Sequence, residues 1–284
     1  MNAPVARLDP TGEPAPVVLD SPHSGHAYPD DFRPAAPAAA YRKGEDAHVD
    51  ALYDAAPALG AVLIAALFPR VYIDPNRGLG DLDPALMDGD WPEPLSPGDK
   101  SRRGVGLIWR RLPQDGLEIY DRRLGIEEVR GRIEGCWQPY HRALAAALDE
   151  THGRFGGVWH INCHSMPAMG DPLMGDAGRR RPDFIIGDRD GTTCEPGFTE
   201  LVTETLRGLG YGVTVNDRFK GVELVRRYAD PAAGRHSLQI EINRELYMDE
   251  DTFERAPGFA RLKAHLTTLV ERVCVYARSR CGGA

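Results

Sequence analysis

Two histidines in this chain each follow an apolar run and each precede a serine. His23 closes Val17-Val18-Leu19-Asp20-Ser21-Pro22-His23-Ser24, and His164 closes Val158-Trp159-His160-Ile161-Asn162-Cys163-His164-Ser165. Ser21-Pro22 forces the chain out of a strand just where His23 comes, so each imidazole sits at a strand end. In parallel sheets, ligands and metals collect outside the carboxyl ends of strands. Two imidazoles and one carboxylate, with an open fourth position for water, make a hydrolytic zinc site. The acidic residues nearest His23 are Glu45 and Asp46. The residues alone leave the choice between them open, and either could simply be helix-opening charge worth about 0.3–1 kcal/mol. His26, His48 and His160 compete for the nitrogen positions. His160 alternates with Asn162 on one strand face and reads as support or core.

Glu241 interrupts Leu238, Ile240 and Ile242, a run otherwise suited to a buried strand. An unpaired carboxylate there costs several kcal/mol, so something must compensate it. Either it faces a metal-activated water as general base, or it pairs with an arginine such as Arg244. Arg77, after Val71-Tyr72-Ile73-Asp74-Pro75, and Arg226-Arg227, after Leu224-Val225, put guanidiniums at strand-end positions, where arginine suits bidentate capture of carboxylates. Surface roles remain the ordinary reading of such arginines. The sequence has no nucleophile elbow, no phosphate loop and no dinucleotide fingerprint. Cys163, beside His164, reads as a buried thiol rather than a nucleophile.

These residues need a scaffold. The periodicity predicts strands over 17–21, 61–67, 71–74, 158–163, 184–186, 211–215 and 236–242, and helices over 45–53, 126–148, 197–209 and 259–276, with a kink at Pro139. Strands alternating with helices point to a single α/β domain over 1–284, a mixed, mainly parallel sheet flanked by helices on both faces. Residues 1–15, rich in Pro and Ala, read as a flexible N-terminal arm. Residues 78–121 lose all periodicity and read as a long ordered loop over the site, with Leu107, Ile108, Trp109 and Tyr120 available to pack.

Composition narrows the function classes. With 34 basic against 42 acidic residues and a formal charge of −8, the chain offers no basic stripe for nucleic acid. The longest apolar run, 61–68, is too short to span a bilayer, and the start lacks a signal-peptide core, so a cytoplasmic protein is expected. Five cysteines without a C-x-x-C spacing give neither a disulfide framework nor a thiolate zinc site. Oligomeric state is not legible.

Several short motifs occur in order: Ser21-Pro22-His23-Ser24-Gly25, Glu45-Asp46-x-x-Val49-Asp50, Tyr72-Ile73-Asp74-x-Asn76-Arg77, Pro139-Tyr140-His141, Cys163-His164-Ser165-Met166-Pro167, Phe219-Lys220-Gly221 and Gln239-x-Glu241. Together they resemble the N-formylglutamate amidohydrolase family. The resemblance implies a fold similar to zinc carboxypeptidases and aspartoacylase-like deacylases. It implies zinc-dependent hydrolysis of N-formyl-L-glutamate to formate and L-glutamate, in histidine degradation. By the same resemblance His23, Asp46 and His164 hold Zn2+ or another divalent metal, with Glu45 a rival to Asp46. Glu241 is the general base, and Asn76, Arg77 and Arg226 bind a small N-acyl amino acid substrate. The chain departs from the family pattern at Asn162, where Asp is expected, and around Val222, Arg227 and Ala229. Other zinc-dependent N-acyl-amino-acid deacylases or carboxypeptidase-like hydrolases, and a non-catalytic carboxylate-binding protein on the same fold, are the alternatives.

Overall fold

The computed structural model describes residues 3–113, 115–172 and 175–281. In chain order its strands are β1 (Val5–Leu8), β2 (Val17–Ser21), β3 (Val62–Ala66), β4 (Met87–Asp88), β5 (Leu124–Gly125), β6 (Val158–Met166), β7 (Phe184–Gly187), β8 (Val213–Val215) and β9 (Arg235–Asn243). Seven of these form one sheet in the order β1-β3-β2-β6-β9-β7-β8, and β4 and β5 make a separate two-stranded ribbon. The middle of the sheet, β3-β2-β6-β9, is parallel, while β1 and β7 join it antiparallel. The sheet is thus mixed and mostly parallel, as the alternation of strands and helices predicts.

Alternation along the central strands separates two chemistries. Val17, Leu19, Ile161, Cys163, Leu238, Ile240 and Ile242 point into an apolar cluster shared with the helices Pro196–Gly208 and Phe259–Cys281. The opposite face packs against the helix Gln138–Phe155 and the long loop. Because side chains alternate with period two, this second face carries His160, Asn162 and His164 of β6 beside Ser237, Gln239 and Glu241 of β9. A row of polar groups therefore runs buried across the middle of the sheet and emerges at the strands' carboxyl ends.

Four expectations are corrected. Residues 5–8 of the supposed arm are the antiparallel edge strand β1, held by its ladder to β3; residues 1–2 lie outside the described residues. Val71–Asp74 is a turn rather than a strand. It lies between Pro69 and Pro75, which cannot donate to a ladder, and its Asp74 N–H goes instead to Leu107 O at 2.7 Å. The helix expected over 45–53 is confined to Val49–Leu52, so Glu45 and Asp46 stand ahead of it, Glu45 in extended backbone. The irregularity expected at Pro139 falls just before it, as a π turn over Ile133–Trp137.

The excursion over 78–121 is built from short turns, the β4 strand of the ribbon and a helical turn Asp99–Arg102, and it buries Leu107, Ile108 and Trp109; Gln114 lies outside the described residues. No helix among the described residues is long and apolar enough to cross a membrane.

Candidate active site

His23 lies just past β2, where the chain leaves the sheet and passes very close to the backbone beyond β3. A Cβ on Gly25 would lie 2.4 Å from Phe68 O, so only glycine allows this approach. The 44–46 segment is latched to it by Asp46 N to His23 O at 2.9 Å and Ser24 Oγ to Asp46 O at 3.1 Å. This latch turns Asp46 toward the imidazoles. Glu45 turns the other way, accepting from Tyr28 Oη and Arg42 Nε.

His23, Asp46 and His164 are all buried, and one ligand atom from each lies within 4.8 Å of the other two. Asp46 Oδ2 is 3.3 Å from His23 Nδ1 and 3.2 Å from His164 Nδ1. The outward nitrogens are occupied: His23 Nε2 meets Asp74 Oδ1 at 2.7 Å, and His164 Nε2 meets Asn162 Oδ1 at 2.6 Å. With each Nε2 carrying its proton to an oxygen acceptor, both Nδ1 lone pairs and a carboxylate oxygen face one point. Such a donor set suits a divalent cation, and the outer oxygen on each ring is what fixes a ligating histidine. His48 is taken up by Phe253 O, and His160 by Ser237 Oγ and Asp20 Oδ1, so neither competes for this position.

Charge around the cluster is tightly arranged. Asp46 Oδ1 accepts from Arg244 Nη2 at 2.9 Å, with Arg70 Nη1 at 3.7 Å. Burial raises the Asp46 carboxyl, but the adjacent imidazoles and Arg70 outweigh it and hold it well below the usual carboxylate range. Asp74 is held low in the same way, burial being overcome by His23, Arg70 and Arg77. Burial pushes the His164 imidazole down to about 4, so the ring is neutral at neutral pH. Glu241 pairs in register with His164. Burial and then the Asp46 carboxylate push it up to about 8, against Arg70, Lys100 and Arg244. Its direct partner is Gln239, whose Nε2 donates to Glu241 Oε1 at 2.9 Å. Arg244, the alternative partner considered for Glu241, is engaged with Asp46, Ser165 and the Lys43 carbonyl.

Asn76 and Arg77 stand beside the cluster on the same pocket wall. Asn76 Oδ1 accepts from Leu224 N, which leaves its amide nitrogen toward the site, 3.1 Å from His164 Nε2. Arg77 is buried, and its hydrogen bonds go to the carbonyls of Val105 and Asn76. Lys100, from the long loop, lines the same pocket. Burial and then Arg77 and Arg70 push its ammonium down to about 8. Farther along the wall come Arg181, Arg218 and Lys220. A buried guanidinium beside a second cation makes a site for an organic acid, whatever the net charge of the chain.

Arg226 is a correction. It lies in the helix Glu223–Tyr228, its side chain is 60% exposed and paired with Glu223, and it is not part of the pocket wall. The segment is helical rather than a strand end, so Leu224 and Val225 face inward and Arg226 outward. Arg226→Ala is expected to change kcat/KM by less than about threefold, the scale of a surface substitution within 0.5 kcal/mol; steady-state kinetics checks it.

Asp74, Arg70 and Lys100 have no role in the expectations from sequence. Asp74 carried a usable signal, an acid ending an apolar run two residues before Asn76-Arg77. Asp20, inside Val17–Ser21, carried the same signal as Glu241. Lys100 carried none, because its placement depends on how the loop folds.

Comparison with known proteins agrees with this fold. The family model for N-formylglutamate amidohydrolase matches residues 15–248. An N-formylglutamate deformylase of Pseudomonas putida is 31% identical, covering 83% of this chain and 82% of its own. One from Pseudomonas aeruginosa is 29% identical, covering 93% of this chain and 95% of its own. The crystal structure of N-formylglutamate amidohydrolase from Ralstonia eutropha JMP134 superposes with a TM-score of 0.93 at 50% identity, covering 98% of this chain and 99% of that one. A coherent run of motifs, a matching sheet and a full-length match place this chain in the N-formylglutamate amidohydrolase family.

Proposed function

We propose that this protein hydrolyses N-formyl-L-glutamate to formate and L-glutamate with the help of a divalent metal, zinc by the character of its donors, held by His23, Asp46 and His164. The observation that carries the reading is the meeting, in one pocket, of this donor set, Glu241 and the buried guanidinium of Arg77. The names of the relatives support the substrate. Histidine degradation is the route in which such a step would serve.

A bound divalent ion would supply Lewis-acid polarisation of the formyl carbonyl and acidify a water. The chain's own groups do the rest. Arg77 and the Asn76 amide would hold one substrate carboxylate, and Lys100 with the more distant arginines would draw the other. Glu241 would take the proton from the attacking water as its oxygen joins the formyl carbon. The C–N bond then breaks, and Glu241 returns that proton to the leaving nitrogen. A carboxyl near neutrality suits both halves of this exchange.

The deciding experiment is formate release from N-formyl-L-glutamate by chelator-treated and zinc-reconstituted protein, alongside N-formyl-L-aspartate and N-acetyl-L-glutamate. Zinc-dependent release from the glutamyl formamide, and little reaction with the other two, is the expected result. One equivalent of zinc bound with no turnover of any of the three would discard the substrate and keep the site. Equal turnover with and without metal would discard the metal.

A further inference from the structure

A histidine that ligates through Nδ1 carries its one ring N–H on Nε2, and in His164 two amides contest that Nε2. Asn162 presents its oxygen to that nitrogen at 2.6 Å, and Asn76 presents its NH2 group at 3.1 Å. The first contact needs a proton on Nε2 and leaves the Nδ1 lone pair facing Asp46. The second needs a lone pair on Nε2 and puts the proton on Nδ1, where it would block ligation. Which contact wins depends on which way the Asn162 amide is turned.

That orientation is fixed from behind. Asn162 Nδ2 donates to Asp20 Oδ1 at 2.8 Å, and an ionised carboxylate can only accept. Asp20 is fully buried in β2, directly opposite Asn162 in the parallel register. The same oxygen meets His160 Nε2 at 2.8 Å, while Oδ2 accepts from Tyr140 Oη. His160 is in turn held at Nδ1 by Ser237 Oγ at 2.7 Å. Burial works to raise the Asp20 carboxyl, and His160, Tyr140 and Asn162 together hold it below the usual carboxylate range. Asp20 is therefore a fixed acceptor, and its anchoring makes the Asn162 oxygen, not its nitrogen, face His164.

We propose that Asp20 is a positioning residue that acts through the Asn162 amide to lock His164 in its Nε2–H tautomer, so that Nδ1 is always free to ligate. The lock also keeps the Asn76 NH2 group out of a bond to His164 and available to a substrate carboxylate. The arrangement accounts for an amide at position 162. An Asp there would set a second carboxylate 2.8 Å from Asp20, and like charges that close cannot both ionise.

The inference rests on the metal reading above, but its first test is independent of metal. In metal-free wild-type protein, long-range 1H–15N correlation spectra, assigned against His164→Asn, should show His164 protonated at Nε2; protonation at Nδ1 overturns the proposal. In Asp20→Ala the Asn162 amide loses the acceptor that fixes its orientation and is free to turn round. His164 should then shift to Nδ1–H, and zinc affinity measured by chelator competition should fall about 10–100-fold. If Asp20→Ala does not fold, Asn162→Ala should produce the same tautomer shift by leaving Asn76 uncontested. An unchanged tautomer and zinc affinity in a folded variant would overturn the role of Asp20. Wild-type protein with His164 protonated at Nε2 but no zinc affinity would instead sink the metal reading alone.

Discussion

Glu241→Gln should lower kcat by about 10²- to 10⁴-fold, the range for losing a positioned acid–base group, with KM and zinc stoichiometry nearly unchanged. The substitution keeps shape and removes only the ability to take up a proton. Glu241 is absent from the metal-ligating set, so the donor atoms of His23, Asp46 and His164 stay in place. The Gln239 amide can still donate to the Gln oxygen, as it does to Glu241 Oε1. Loss of kcat with retained zinc assigns Glu241 to the chemistry, whereas loss of zinc would make it a support of the metal site.

The same variant makes a second prediction, in stability. Glu241 has its folded-state pKa raised to about 8, chiefly by burial and by Asp46. A group raised above its unfolded value contributes stability that is fully present below the unfolded pKa, about 4.3 for Glu, and is lost as pH rises toward 8. At pH 7–8 metal-free Glu241→Gln should therefore melt above metal-free wild type, and the gap should close as pH falls toward 4. A Tm series from pH 4 to 8 on chelator-treated protein reads this directly. A variant less stable than wild type at pH 8 would mean that the carboxylate is better compensated than burial and Asp46 imply. The expected result, a higher-melting variant, would mean that the site holds a destabilising group for the sake of reaction, as expected where sequence breaks the rules of a buried strand.

How far the sequence revealed this site depended on locality. His23, His164 and Glu241 were legible because each interrupts or ends an apolar run, and the register that pairs His164 with Glu241 follows from two such runs lying parallel. Asp46 and Glu45 could not be separated, since the choice turns on the latch between the Asp46 N–H and the His23 carbonyl, a tertiary contact. Arg226 was misplaced for a similar reason. Leu224-Val225 reads as extended by composition, yet the segment folds as a helical turn and sends the guanidinium to solvent. The central strands were found because burial on both faces makes them continuous apolar runs. β1 was missed because an edge strand with none of its residues fully buried has no such run. The cations that would make the pocket acid-binding come from four separate segments, around residues 77, 100, 181 and 218–220, and no local pattern joins them.

Asp46→Ala should abolish both zinc binding and turnover and lower stability by about 3–5 kcal/mol, the cost of removing one partner from a buried ion pair. Asp46 is fully buried and accepts from Arg244, itself buried, so truncation strands that guanidinium beside Arg70. Asp46→Asn separates the two losses. Its oxygen can still accept from Arg244, and its NH2 group can donate to the lone pairs of His23 and His164. That variant should stay close to wild-type stability while its zinc affinity falls by more than the 10–100-fold typical of changing an outer partner. Chemical denaturation and chelator competition on the two variants check this. Equal zinc affinity in Asp46→Asn would move the carboxylate ligand elsewhere. Acid unfolding adds an independent sign. Asp46 and Asp74 both have folded-state pKa values held well below the usual carboxylate range. Each contributes stability that is present above its unfolded value of about 3.9 and is lost as pH falls through the folded value. Wild type should lose stability steeply below about pH 4, and Asp46→Asn should lose less over the same interval, having one fewer depressed carboxylate to protonate. The same anion that would bind the metal would then also set the acid limit of the fold, because the two arginines that orient it leave it no other way to be buried.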